Sequence, residues 1–284
     1  MSKPIISVEH FSYIYPHNTV KVLDDVSFTV YENDFLGIVG CNKAGKSTLC
    51  TALVGIIPYT LGGQWDGSIS VDGDDLEDSK GNKAAGVIGI VFQEAESQFT
   101  QETVEDEIAF AMCNFGYTRE LMEQRIREAA GDCGLLSMLD RSPFRLSGGQ
   151  QQRVAIACML ALQPRVIILD ESTSQLDPIG RDEVFNLVRQ LHKTGSTIIM
   201  VDHNIEKIAE YAEKVMIMHQ GKVVEYGDVK SVFQQKSAMD SYKIRIPQVT
   251  EAALGLGITL EDGTIPVKLP EAVDMFKKAG GSKG

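Results

Sequence analysis

The stretch GCNKAGKSTLC, Gly40 to Cys50, restricts the possible folds more than any other part of this chain. Gly40, Gly45, Lys46 and Ser47 meet the spacing G-x-x-x-x-G-K-[ST]. Glycines allow the tight turn that aims several backbone N–H groups at one anion. The lysine reaches the β- and γ-phosphates, and the serine hydroxyl suits Mg²⁺. The strand-like run FLGIVG precedes the loop and the helix-forming KSTLCTALVGI follows it. A helix starting there adds the positive end of its dipole to the cradle. Gly40, Cys41, Asn42, Lys43, Ala44, Gly45, Lys46, Ser47 and Thr48 are therefore candidates to bind a nucleoside triphosphate. The alternative is a surface turn that matches by chance.

Other segments extend this beginning into an α/β domain. PIISVEHFSYIY, VSFTVYEND and GSISVDGDDL alternate apolar and polar residues, as half-buried strands do. AGVIGIVFQ and PRVIILDE are wholly apolar, which suits strands covered on both faces of a parallel sheet; GSTIIMVDH and KVMIMHQGKVVEYG continue the theme. Between Gln93 and Arg165, TVEDEIAFAMCNFG, RELMEQRIREAAGDCG and GGQQQRVAIACMLAL have helical periodicity. They predict a helical insert over about 94–164, between two central strands, with Thr103 and Asp106 forming a capping box. After Asp228 the pattern is cut by Pro247, Pro266 and Pro270. The expected division is a main domain over 1–228 and a C-terminal module over 229–284, with a last short helix at PEAVDMFKKAG and a mobile GGSKG tail.

Charge and cysteine usage narrow the function. With 27 Lys+Arg against 39 Asp+Glu, a formal charge of −12 disfavours nucleic acid or anionic lipid as a broad partner. The five cysteines show no C-x-x-C spacing, so reduced thiols of a cytosolic protein are expected rather than a metal site. No apolar run approaches the ~20 residues of a membrane span, so any membrane link is expected to run through a partner.

VIILDE ends in Asp170 and Glu171. An aspartate closing a buried strand can hold Mg²⁺, and the next carboxylate can polarise an attacking water; alone, the pair could equally begin a solvated loop. LSGGQQQRVAIA lies upstream, SQLD and then VDH with His203 follow, and Gln93 closes IGIVF. Over residues 5 to 228 this ordered set resembles the ATP-binding-cassette (ABC) ATPases. The resemblance implies a P-loop cassette: a RecA-like parallel core sheet, an antiparallel β subdomain and a helical insert. Here a small C-terminal α/β module would be added. It further implies ATP and Mg²⁺, with Tyr15 stacking on adenine and Lys46 on phosphate. Ser47, Asp170 and Gln93 would lie at the metal, Glu171 would be the general base and His203 the γ-phosphate switch. Ser147, Gly148, Gly149 and Gln150 would cap the ATP of an opposite subunit, and Asp177 would lie at the dimer seam. Tyr15 could instead be strand packing, and His203 a core histidine.

A narrower likeness follows. Gln98 and Phe99, then TVEDEIAF, and the tail IRIPQVTEAALGLGITLED resemble ATPases of energy-coupling factor (ECF) transporters, a group that includes cobalt and nickel importers. This implies a vitamin or transition-metal importer, with an ATPase homodimer or heterodimer, a transmembrane T-component and a substrate-binding membrane subunit. Docking of the T-component is expected near Gln98, Phe99, Glu102, Glu105 and Asp106, with Glu107 in the same acidic cluster; arginines of the T-component would pair with these carboxylates. A solvated acidic helix start is the plainer account. Another class of ABC transporter, or a soluble ABC ATPase, is the alternative function. One departure stands out: most cassettes carry glycine where this chain has Lys43. A left-handed backbone there would cost on the order of 1–2 kcal/mol, and the loop is still expected to work.

Overall fold

A computed structural model describes residues 3–260 and 262–281. Ten strands run in chain order: β1 Pro4–Ile14, β2 Leu23–Tyr31, β3 Phe35–Gly40, β4 Gln64–Val71, β5 Asp74–Asp75, β6 Ile88–Val91, β7 Val166–Asp170, β8 Thr197–Val201, β9 Lys214–His219 and β10 Lys222–Asp228. The helices are α1 Lys46–Leu53, α2 Asn82–Ala85, α3 Val104–Asn114, α4 Arg119–Asp132, α5 Gly148–Leu160, α6 Pro178–Lys193, α7 Ile205–Tyr211, α8 Val229–Phe233, α9 Lys236–Ser241, α10 Gln248–Leu256 and α11 Leu269–Gly281.

Two sheets form. β2-β1-β4-β5 is antiparallel, and β10-β9-β3-β8-β7-β6 is parallel except for β10. The unbroken apolar runs explain why the second sheet lies inside. Every residue of β3, β7 and β8 is buried, and successive side chains point to opposite faces. Ile167, Leu169, Ile198 and Met200 pack with the insert and α6 in one core. Val166, Ile168, Ile199 and Val201 pack with α1 and the antiparallel sheet in the other.

The sheet order corrects one expectation. β6 is an edge strand, so the insert joins an edge strand to its neighbour β7 rather than two central strands. Its short run IGIV is only half buried in the middle, and four residues of apolar sequence carry no sign of which neighbour is missing.

Two further differences lie in the helices. Thr103 does cap α3 through the Asp106 N–H, but the Asp106 carboxylate accepts from the Thr103 hydroxyl, not from its backbone N–H. The reciprocal capping box belongs to Ser147 and Gln150 at the start of α5, because a glutamine side chain reaches back where an aspartate is too short. Glu107 is not part of a surface cluster: it is buried, and its carboxylate accepts the N–H groups of Thr100 and Gln101 at 2.8 and 2.7 Å.

The C-terminal residues also depart from the α/β expectation. Among the described residues, 229–281 form α8 to α11 with no strand. Met239, Ile244, Ile246 and Val267 join the core of the insert and sheet, so these helices close the main domain's own core. The predicted last helix is present as α11, which runs to Gly281; the final three residues of GGSKG lie outside the described residues.

All five cysteines are free. Burial raises the Cys50 and Cys158 thiols well above their ordinary range and pushes Cys133 up to about 12. Because the thiolate is the reactive form, we expect a thiol-reagent titration of the folded chain near pH 8 to register exposed Cys113 first, with buried Cys50 and Cys133 reacting only on unfolding. Five equally fast thiols would contradict this packing.

Candidate nucleotide site

The parallel sheet gathers the candidate residues at one edge. β3, β7 and β8 are parallel, and their C-terminal ends lead into the phosphate loop, Glu171 and His203 respectively. Open α/β sheets hold ligands at this edge. Gly40 and Gly45 let the loop lie close to its neighbours. A Cβ on Gly40 would come within 2.5 Å of the Met218 carbonyl oxygen, and Gly45 has φ +102 with Val22 O 2.9 Å from any Cβ.

Lys46 begins α1 and is almost fully buried. Its Nζ donates to Gly40 O at 3.1 Å and Cys41 O at 3.4 Å, and lies 3.3 Å from Glu171 Oε1. Glu171 Oε1 is also 2.9 Å from His203 Nε2. Glu171 reaches both because it has a left-handed backbone, φ 51, immediately after β7. Its N–H donates to Val201 O at 3.0 Å, fixing that turn to the end of β8. Strain of this kind costs about 1–3 kcal/mol and persists only where the surroundings impose it.

The Ser47 hydroxyl donates to Asp170 Oδ1 at 3.1 Å. Burial raises the Asp170 carboxyl above the usual carboxylate range, against the lowering effect of the Ser47 hydrogen bond. A hydroxyl and a carboxylate side by side are hard oxygen donors, and among the described residues no group of three or more His, Cys, Asp or Glu could hold a metal alone. That donor set fits Mg²⁺, which takes one or two protein oxygens and completes its shell with phosphate and water. Gln93 lines the same cavity and its Nε2 donates to Ser174 Oγ at 3.5 Å.

Asn42, Lys43, Ala44, Gly45, Lys46, Ser47, Thr48, Gln93 and Glu171 line a cavity of about 800 Å³. Tyr15 is not among the lining residues. Its hydroxyl is 3.2 Å from Thr48 Oγ1, at the start of α1, and its ring packs edge-on against Tyr13. Val20, Lys21, Val22, Gln220 and Gly221 complete the lining, and sequence reading missed them. Asp202 was missed as well: it accepts the Asn204 N–H at 2.7 Å and the Thr173 hydroxyl. It thereby ties the segment after Glu171 to the segment carrying His203. Its only sequence signal was an acid next to that histidine.

Lys43 has φ 64, the left-handed backbone considered above, and its side chain is exposed. We expect Lys43→Gly to leave ATP hydrolysis within about an order of magnitude, since glycine supplies the same backbone N–H in the same conformation; a dead variant in a phosphate-release assay would refute this view of the loop.

A second cavity, about 440 Å³, is lined by Ser147, Gly148, Gly149, Gln150 and Asp177 together with Arg153, Gln175, Leu176, Ile179, Gly180 and Glu183. Asp177 caps α6 by accepting the Gly180 N–H at 2.7 Å. The two linings have no residue in common.

Fold and site together define an ABC cassette, and the profile of the ABC transporter family matches residues 23–174: the chain belongs to that family, as one of its ATPases. It is 38% identical over 282 residues to the energy-coupling factor transporter ATP-binding protein EcfA2 of Streptococcus thermophilus, covering 95% of this chain and 98% of that one. It is 38% identical over 269 residues to EcfA1 of Geobacillus kaustophilus, covering 94% and 93%. The solved structure of cbiO1 from Clostridium perfringens, described as part of the ABC transporter complex cbiONQ, matches with TM-score 0.74 and 30% identity over 88% of this chain and 99% of that one.

Proposed function

We propose that this chain is the ATP-hydrolysing subunit of an ECF-type importer, which energises uptake of a vitamin or transition-metal ion. The observation that carries the reading is the division of the site between two cavities. The phosphate loop and Glu171 line one, with Asp170 joined to Ser47 and His203 to Glu171, and the Ser-Gly-Gly corner lines the other. Two chains, identical or closely related, would pair head to tail so that each corner closes the other's cavity.

Lys46 and the loop N–H groups then hold the β- and γ-phosphates. Ser47 and Asp170, with Gln93 nearby, would hold Mg²⁺, which would supply positive charge for the phosphate oxygens. Glu171 accepts the proton of the attacking water, and His203, bonded to the same carboxylate oxygen, orients it and meets the γ-phosphate. Ser147 and the N–H groups at the start of α5 add positive dipole from the opposite chain. Closing and reopening of the pair would move the surface beyond Gln93.

That surface supports a membrane partner. Glu102, Glu105 and Asp106 are exposed at the start of α3, with Phe99 buried beneath against Phe144. No helix among the described residues is long and apolar enough to cross a membrane. The chain would sit at the cytoplasmic face, held by a T-component whose arginines meet these carboxylates and which works with a substrate-binding membrane subunit. The C-terminal helices would help to hold the ATPase pair. The test is expression with the membrane proteins encoded beside it. Co-purification of a small polytopic protein, lost on combined Glu102, Glu105 and Asp106 reversal to lysine, is expected. Purification alone under all conditions would overturn the importer assignment.

A further inference from the structure

The C-terminal helices reach the phosphate loop by two routes, one through the Cys41 thiol and one through the Tyr242 ring on His219. At the end of α9 the chain turns through Lys243, φ 59, and the Cys41 thiol donates to Tyr242 O and Lys243 O at 3.6 and 3.8 Å. Cys41 is the first residue after β3, and its own carbonyl accepts from Lys46 Nζ. The Tyr242 ring packs on the His219 ring, with centroids 5.7 Å apart. His219 ends β9, and two residues on the Gly221 N–H donates to Ala44 O at 3.0 Å, inside the loop. Met239, Ile244 and Ile246 are buried around this turn, so it cannot shift unless the helices shift with it.

We propose that Tyr242 is a positioning residue for the phosphate loop, and that displacement of the C-terminal helices changes the affinity of that loop for triphosphate. The proposal rests on the reading of the 800 Å³ cavity as the ATP site. Convergent N–H groups bind an anion well only when held in place beforehand, and small misplacements at such sites are costly. Here the loop contains a left-handed lysine, and Tyr242 reaches that loop through the Cys41 thiol and through His219, which leads into the Gly221 turn. Coupling between two sites is reciprocal, so bound triphosphate must also steady residues 242–246.

The experiment measures binding of a slowly hydrolysed ATP analogue with Mg²⁺ to the full chain, and hydrogen exchange with and without it. Tyr242→Ala is expected to weaken binding by about fivefold or more, and to raise KM for ATP by a larger factor than it lowers kcat. Tyr242→Phe, which keeps the ring, is expected to restore parental affinity. Leu136→Ala, exposed in the helical insert, is expected to change nothing. In the parental chain the amides of Tyr242 to Ile244 are expected to exchange more slowly when the analogue is bound. That measurement decides the matter if Tyr242→Ala does not fold. Parental affinity in Tyr242→Ala, failure of Tyr242→Phe to rescue, or unchanged exchange would each overturn the proposal. A parental chain that binds no analogue would instead remove the ATP reading beneath it.

Discussion

Lys46→Ala is expected to reduce ATP hydrolysis by more than about a thousandfold while leaving the fold intact. Lys46 is the buried cation at the centre of the site, in contact with Gly40 O, Cys41 O and Glu171 Oε1 at once. Truncation removes the charge that meets the β- and γ-phosphates. It also leaves Glu171 beside buried Asp170 with only His203 to compensate it. A second positive group does not stand ready: Lys43 is exposed and Lys21 is tied to Asp24 at 2.7 Å. Phosphate release at saturating ATP checks the loss, and a parental melting temperature with the nucleotide absent separates it from unfolding. Activity within tenfold of the parent would show that Lys46 does not carry the phosphates.

The second large effect is expected at Glu171. Glu171→Gln keeps the length and an acceptor for Lys46 and His203, yet cannot take a proton. Removing a general base costs about 10²–10⁴-fold. Binding is retained, because the loop and Lys46 are untouched, so the variant is expected to accumulate as an ATP-bound pair in size-exclusion chromatography with Mg²⁺ and ATP. Hydrolysis at the parental rate would assign the base elsewhere.

What could be read from the chain depended on how local the cause was. The phosphate loop, Asp170–Glu171 and the LSGGQ corner announce themselves because backbone turns and ligand chemistry demand particular residues at fixed spacing. The apolar runs of β7 and β8 announced strands covered on both faces, since burial on two sides leaves no polar alternation, whereas the same reading of β6 met an edge strand that is half-buried in its middle. Long-range placement left no such mark. Val20, Lys21, Val22, Gln220 and Gly221 reach the cavity because β9 lies beside β3 and the turn after β9 bonds to the loop. Nothing in Gln-Gly distinguishes that turn from any other. Glu107 looked like its acidic neighbours because composition cannot show that α3 turns it inward onto the Thr100 and Gln101 N–H groups.

The disjoint linings of the two cavities carry an evolutionary consequence. After a gene duplication, one copy could decay in its loop and the other in its Ser-Gly-Gly corner, and a mixed assembly would still keep one competent station. Selection would then act on the couple rather than on either sister. A chain with both halves preserved, alike to relatives called EcfA1 and EcfA2 at 38% each, has not taken that step.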